Sequence, residues 1–430
     1  MTITTTLSLD LLHDGDAGYD EARTIWNAMI DRRPAAIAKC HSTADVVAAV
    51  EFARAHELEI GVRCGGHNIA GLAVPDGGLM IDLTPMNEVR VDPERQLAWV
   101  QGGALLGELD RAAQKYGLAT TAGNVSHTGV GGLTLGGGMG WLARQFGLAC
   151  DNVVSYELVT AAGEVVRASA TQNPELFWGL RGGGGNFGIV TSFEFRLHQV
   201  GTRALVAEFT YPAEEGFAVL RGWRDLNSTA PRRATLTASI RGGDVTLGFV
   251  WVGDPTDATT LLAAFRDLGK VVAEDIEELP YLTLQSRDDT VQGHRFRRYW
   301  KGHYFKALPD DAIRALLRNP GIGASLQAYG GAISDLPDDD AAFSHRDTLF
   351  EFVTAARWED PADDEERIAT IRAYAASLDQ YAGGAYLNTL NGESVSRAFP
   401  AAKLARLTAL KNSYDPANVF HLNQNIRPSL

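Results

Sequence analysis

Cysteine is scarce in this 430-residue chain: Cys40, Cys64 and Cys150 are the only three, and no two form a CxxC pair. That excludes a disulfide framework and a zinc ribbon, and it fits a reducing compartment. Basic charge is short as well. A net charge of −14, without a long Lys/Arg run, excludes a nucleic-acid partner held by phosphate neutralisation. No apolar stretch is long enough to span a bilayer, and Met1 to Asp16 lacks a basic segment followed by an apolar one. A soluble, cytoplasmic protein with no membrane partner is therefore expected. The histidines include no HExxH and no HxH set beside carboxylates, so no metal site is expected.

Glycine, by contrast, is abundant and clustered. Arg63-Cys64-Gly65-Gly66-His67-Asn68 places a lone imidazole behind two glycines, and Gly129 to Gly140 contains seven more. Glycine loses the most conformational freedom on folding, so such density needs close approach or positive φ to offset it. Two explanations stand at this point: backbone amides cradling a phosphate-bearing cofactor, or tight turns packing one sheet on another. Gly183 to Gly188 matches GxGxxG, but a helical pattern precedes it and a strand pattern follows, the reverse of a dinucleotide-binding turn. That excludes a nicotinamide site.

In chain order, a polar arm and a short helix over Tyr19 to Met29 lead into a β-α-β unit. Its helix is capped at Ser42, and its second strand, Glu59 to Arg63, delivers the His67 loop. Further strands fall at 79–83, 97–101, 152–160 and 189–197. From about residue 200 the glycine clusters thin out. Ala234 to Ile240 and Val245 to Val252 then read as a hairpin around Gly242-Gly243. Strands at 325–333 and 348–356, separated by helices at 258–268 and 310–318, predict an antiparallel sheet with helices on one face, an α+β arrangement.

Four segments in order carry a family likeness: Arg63 to His67, the loop Gly123 to Gly140, Arg181 to Val190, and the tail Tyr414 to Pro428. Together they resemble the FAD-linked oxidases of the berberine bridge enzyme-like group, within the vanillyl-alcohol-oxidase fold. The resemblance implies an α+β protein with a PCMH-type FAD-binding domain of two subdomains, plus a substrate-capping domain built on an antiparallel sheet. The expected division is an arm and helix over 1–32, the FAD domain over 33–200, the cap over 201–385, and a C-terminal segment over 386–430 returning to the FAD domain.

The resemblance also implies FAD joined covalently through His67. Bicovalent members carry a cysteine where this chain has Val125, so no second link is expected. Around the link, Arg63, Cys64, Gly65, Gly66 and Asn68 are expected to contact the cofactor. Thr128, Gly129, Gly132, Leu133 and Gly138 would follow it along the second loop. Ile189 and Val190 would wall its adenine side, with Asn423 and Asn425 closing from the tail. Leu133 stands where many members have histidine. His127 either shapes the pocket or satisfies a loop carbonyl.

Tyr386-Leu387-Asn388 matches the family's Tyr-x-Asn and makes Tyr386 the expected catalytic base. A phenol near pKa ~10 needs a cation or oriented dipoles to serve at neutral pH. The cation would be Lys301 or Arg298, unless Arg297 to Tyr304 is merely an exposed basic strand. Tyr329, His345, Arg346, Tyr299, Trp300, Tyr304 and Trp358 would face substrate or belong to the core. The expected activity is oxidation of a C–H next to oxygen or nitrogen in an alcohol, sugar or polycyclic natural product. Hydride would pass to the flavin, and dioxygen, favoured by the small Thr128, would be reduced to hydrogen peroxide. The alternatives are a same-fold dehydrogenase with another acceptor, and a non-catalytic flavin-binding protein.

Overall fold

The computed structural model describes residues 9–290, 293–319 and 321–429. The His67 loop is delivered by a four-stranded sheet ordered Asp10–Leu12, Ala36–Lys39, Leu79–Asp82, Ile60–Arg63. The last three strands are parallel. The intervening helix, Thr43–Ala55, is capped by the Ser42 side chain and buries Val46, Ala49, Val50 and Ala53. That i, i+3, i+4, i+7 spacing makes one apolar stripe, which packs on Ala36, Ala38, Ile60 and Ile81. A second, antiparallel sheet runs Val89–Asp92, Leu97–Gln101, Ile189–Arg196, Val153–Val159, Val165–Ser169.

The remaining large element is a seven-stranded sheet, antiparallel throughout. Its order is Ala273–Pro280, Arg203–Tyr211, Asp244–Val252, Ala234–Arg241, Ala324–Ala328, Phe350–Trp358, Arg297–Phe305. Side chains alternate between its two faces. Leu326, Ala328, Phe350, Phe352 and Phe305 point to one face, where they pack with Val219 and Trp223 of helix Gly216–Asn227 and Ile313 and Leu316 of helix Asp310–Leu317. Gln327, Glu351 and Tyr304, the residues in between, therefore stand on the opposite face. Glu351 is the cross-strand partner of both others, so the three form one row.

Several local expectations change. The helix at Tyr19 ends at Ala22, because Trp26 N–H bonds to Gly66 O and Ile25 lies on the Gly66 face, drawing the chain off the helical path. The polar arm supplies a strand, Asp10–Leu12, to the sheet edge. The strand expected over 325–333 stops at Ala328, since Gly330 and Gly331 take φ of +80° and +59°. The long glycine run encloses a short helix, Val130–Leu135. Gly183 to Gly188 does follow a helix, Pro174–Leu180, and precede the strand Ile189–Arg196, so it is no Rossmann turn.

The tail is anchored by buried polar groups. Lys411 Nζ donates to Asp415 Oδ2 (2.6 Å), Asn186 O and Phe420 O, and both carboxylate oxygens of Asp415 accept backbone N–H groups. Asn186 in turn donates to Gln424 O and accepts from Ile426 N–H, stitching the tail to the 183–188 loop.

Candidate active site

Two glycine-rich loops meet head on. A Cβ on Gly65 would lie 2.3 Å from Gly129 N, and one on Gly129 would lie 2.4 Å from Gly65 N. At these two positions glycine serves the approach of one loop to the other. Gly132 and Gly185 are different: a Cβ there would meet nothing within 4 Å, and both line a cavity of about 540 Å³.

Most of the residues singled out from the sequence share that cavity. Cys64, Gly65, Gly66, His67 and Asn68 line it from the first loop, and Val125, Thr128, Gly129, Gly132 and Leu133 from the second. Ile189, Val190, Asn423 and Tyr386 complete the set. Three lie outside the lining. Arg63 turns away to donate to Ala22 O. Gly138 gives its N–H to Tyr386, and Asn425 stands behind the wall with its Oδ1 buried and unpartnered. Cys64 is no nucleophile at neutral pH, because burial pushes its thiol up to about 11.

His67 is held on three sides. Its Nε2 is 2.7 Å from His127 Nδ1, its Nδ1 is 3.3 Å from Thr128 Oγ1, and Trp26 stacks on its ring with centroids 4.7 Å apart. Burial first, then the neighbouring His127 and Arg298, depress its pKa to about 3, so the ring is neutral. The His127 ring packs against His67, with centroids 4.7 Å apart. Trp26 and Asn27 escaped the sequence reading. Asn27 bonds Ile69 O and both backbone groups of Arg298, tying the N-terminal segment to the large sheet.

Tyr386 enters from the turn that opens Leu387–Thr389. Its hydroxyl accepts from Gly138 N–H and from Asn388 Nδ2, each at 2.9 Å. Gly137 and Gly138, at φ of +124° and +86°, shape the backbone that presents this amide. The expected cation is absent from these contacts. Lys301 pairs with Glu393 at 2.5 Å, and Arg298 lies over the Trp26 ring at 3.9 Å. Two N–H dipoles point at the hydroxyl instead. Burial, the largest influence, still holds the phenol above its ordinary range, and the nearby Glu351 adds to this.

Glu351 and Gln327 line the same cavity and were not foreseen. Burial raises the Glu351 carboxyl to about 7, while Tyr329 OH donates to it at 2.7 Å. The available signal was Phe350-Glu351-Phe352, a carboxylate inside an otherwise apolar strand. Of the other aromatic candidates, Trp300 lines the cavity, Tyr304 packs near Tyr386, and Tyr299 and Trp358 belong to a core cluster. Arg346 is committed to a buried ion pair with Asp151, and His345 Nε2 bonds the Arg397 carbonyl.

The residues fit a flavin dinucleotide. Gly132 and Gly185 leave space that any side chain would fill, and Asn124 Oδ1, Asn423 Oδ1 and Trp300 Nε1 border the cavity buried and without partners. Comparison with known proteins agrees. Residues 34–169 match the family model described as FAD binding domain, and residues 385–427 match berberine and berberine like. An uncharacterized FAD-linked oxidoreductase of Bacillus subtilis is 31% identical over 99% of both chains. The (R)-6-hydroxynicotine oxidase of Paenarthrobacter nicotinovorans is 32% identical over 97% of this chain and 96% of its own. Among solved structures, Physcomitrella patens BBE-like 1 superposes with a TM-score of 0.91 at 25% identity, covering 98% of this chain and 97% of its own. Glucooligosaccharide oxidase from Acremonium strictum, with its 6-S-cysteinyl, 8α-N1-histidyl FAD, shares the fold with a TM-score of 0.89 at 24% identity, over 98% and 97% of the two chains. The chain is an enzyme of the berberine bridge enzyme-like family of FAD-linked oxidoreductases.

Proposed function

We propose that this enzyme oxidises a C–H bond next to oxygen or nitrogen in a small alcohol, sugar or polycyclic substrate, with FAD linked through His67 alone and dioxygen as acceptor. One observation carries the reading: the Tyr386 hydroxyl, gathered by two N–H donors, opens on the cavity that also holds His67. Bound FAD supplies a two-electron acceptor for the hydride. Tyr386 takes the proton from the substrate heteroatom, and the Gly138 and Asn388 donors stabilise the phenolate charge. Thr128 keeps the cavity wall beside His67 small, which favours access of dioxygen. Val125 offers no thiol for a second link. The oligosaccharide and nicotine oxidases among the relatives support substrates with oxygen or nitrogen beside the reacting carbon. The few thiols, with Cys40 and Cys150 buried, favour the cytoplasm.

A second reading of the proton's destination rests on a separate observation. Glu351, at about 7, sits nearer a working pH than the elevated phenol of Tyr386. In that reading Glu351 receives the proton and Tyr386 orients the substrate heteroatom.

The test is anaerobic mixing with panels of alcohols, sugars, amines and polyphenols, followed by exposure to air. Substrate-dependent bleaching of the flavin is expected, and its absence across all panels overturns the catalytic reading in favour of a binding protein. Reoxidation by air slower than turnover with an artificial acceptor would make the enzyme a dehydrogenase.

A further inference from the structure

One chain of hydrogen bonds beside the cavity has no part in the substrate chemistry above. The backbone N–H of Thr290 donates to His127 Nε2 at 3.4 Å. A neutral imidazole carries a single N–H, so a nitrogen that accepts from an amide leaves the proton on the other. His127 is therefore the Nδ1–H tautomer. That nitrogen lies 2.7 Å from His67 Nε2, so His127 donates and His67 accepts. Burial depresses both imidazoles, His67 to about 3, which keeps the pair neutral and the assignment intact. The anchor is itself braced: Ser126 donates from N and Oγ to the two carboxylate oxygens of Asp289, at 2.8 and 2.6 Å, locking residues 126–127 against 289–290.

We propose that His127 is a positioning residue for flavin attachment: its Nδ1–H occupies His67 Nε2, reserves His67 Nδ1 for the bond to the cofactor, and afterwards polarises the linked ring. The proposal rests on the covalent link through His67 proposed above. A carbon on Nε2 would have to displace the His127 ring, whereas Nδ1 has the Thr128 hydroxyl at 3.3 Å and no ring against it. In the attachment step the His67 Nδ1–H bond and one C–H bond of the flavin 8α-methyl group break, and an N–C bond forms. The two hydrogens and the two electrons stay with the flavin, leaving it reduced. Dioxygen then removes them as hydrogen peroxide. The alkylated imidazole retains one free nitrogen, Nε2, which is an acceptor only. His127 already donates to that nitrogen, so no tautomer has to change. A hydrogen bond there draws electron density from the ring and, through it, from the flavin, which raises the reduction potential.

His127→Asn and His127→Asp separate this role from a structural one. Their side chains have the same size and reach, but the amide can donate to His67 Nε2 and the carboxylate cannot. The readouts are the fraction of flavin retained in acid-precipitated protein and the midpoint potential measured by dye equilibration. His127→Asn is expected to stay near wild type in both. His127→Asp is expected to attach less flavin and to show a lower potential in the attached fraction. Folded Asn and Asp variants with the same linked fraction and potential overturn the role of His127 while the link through His67 stands. Wild-type protein that releases all its flavin in acid overturns the link itself, and the proposal with it.

Discussion

Gly136 stands against Asn388 so closely that a Cβ on the glycine would lie 2.1 Å from the amide oxygen, and Asn388 spends its Nδ2 on the Tyr386 hydroxyl. The bare backbone of one loop thus sets the position of a donor on another.

Asn388→Ala removes one of the two side-chain and backbone donors that support charge on Tyr386. Loss of one such donor typically costs about 100-fold in the chemical step. The expected outcome is a slower anaerobic flavin bleaching rate with near-normal substrate affinity. Gly136→Ala reaches the same point indirectly by pushing Asn388 away, and a comparable drop is expected. A Gly136→Ala enzyme that bleaches at the wild-type rate would show that Asn388 has freedom to move without loss.

The two proton acceptors differ in what they predict for pH. Glu351 is raised to about 7 by burial, so a base of this kind gives a bleaching rate that climbs through neutrality and levels off above it. Glu351→Gln should flatten that limb if Glu351 takes the proton. Persistence of the limb in Glu351→Gln, with its loss in Tyr386→Phe, would assign the proton to Tyr386. Stopped-flow rates across pH 5–9 decide between them.

Much of the cofactor side was readable in the sequence because it is written in contiguous residues. The His67 loop, the 123–140 loop and the tail each keep their motif within a short span, and their glycines mark where backbone comes close. The side formed by the seven-stranded sheet was not. Tyr304, Gln327 and Glu351 come from three successive strands, more than 20 residues from one to the next, and meet only through register. A one-residue slip would turn Glu351 into the helix-packed core and Phe352 into the cavity, and no local pattern fixes that choice. Trp26 was not foreseen, and His127 stayed open between two roles, for a related reason. Each is an ordinary loop residue until packing sets it against His67. No cation meets the Tyr386 hydroxyl; one backbone and one amide N–H group do.

The tail's anchor is a second place where breaking one contact has a large effect. Lys411 and Asp415 are both 0% exposed and are bonded at 2.6 Å. Lys411→Met leaves the Asp415 carboxylate buried with only its backbone donors, and removing one member of such a pair typically costs about 3–5 kcal/mol. The urea midpoint should fall accordingly, and the tail beyond Tyr414 should become more open to proteolysis. Replacing both residues by apolar ones of similar size should recover part of the loss.

Asp110 gives the clearest expectation for stability against pH. It lies on helix Leu106–Gln114, almost fully buried, and accepts from Gln285 Nε2 at 3.1 Å, on the helix Tyr281–Ser286 that follows the edge strand of the large sheet. Burial raises its carboxyl from 3.8 to about 7, with the Gln285 bond and Arg111 opposing in part. The folded state therefore holds this proton more tightly than the unfolded chain does. Its contribution to stability is complete below about pH 4, where both states are protonated. Between there and pH 7 the unfolded chain releases the proton while the folded one keeps it, and stability falls by about 1.4 kcal/mol per pH unit. Above pH 7 both are ionised and the dependence ends. Asp110→Asn keeps an oxygen for Gln285 and removes the titration. The difference in unfolding free energy between wild type and Asp110→Asn, measured by urea titration from pH 4 to 8, should decline along that slope and then level off. A difference that stays constant across the range would mean that Asp110 is ionised in the folded protein throughout.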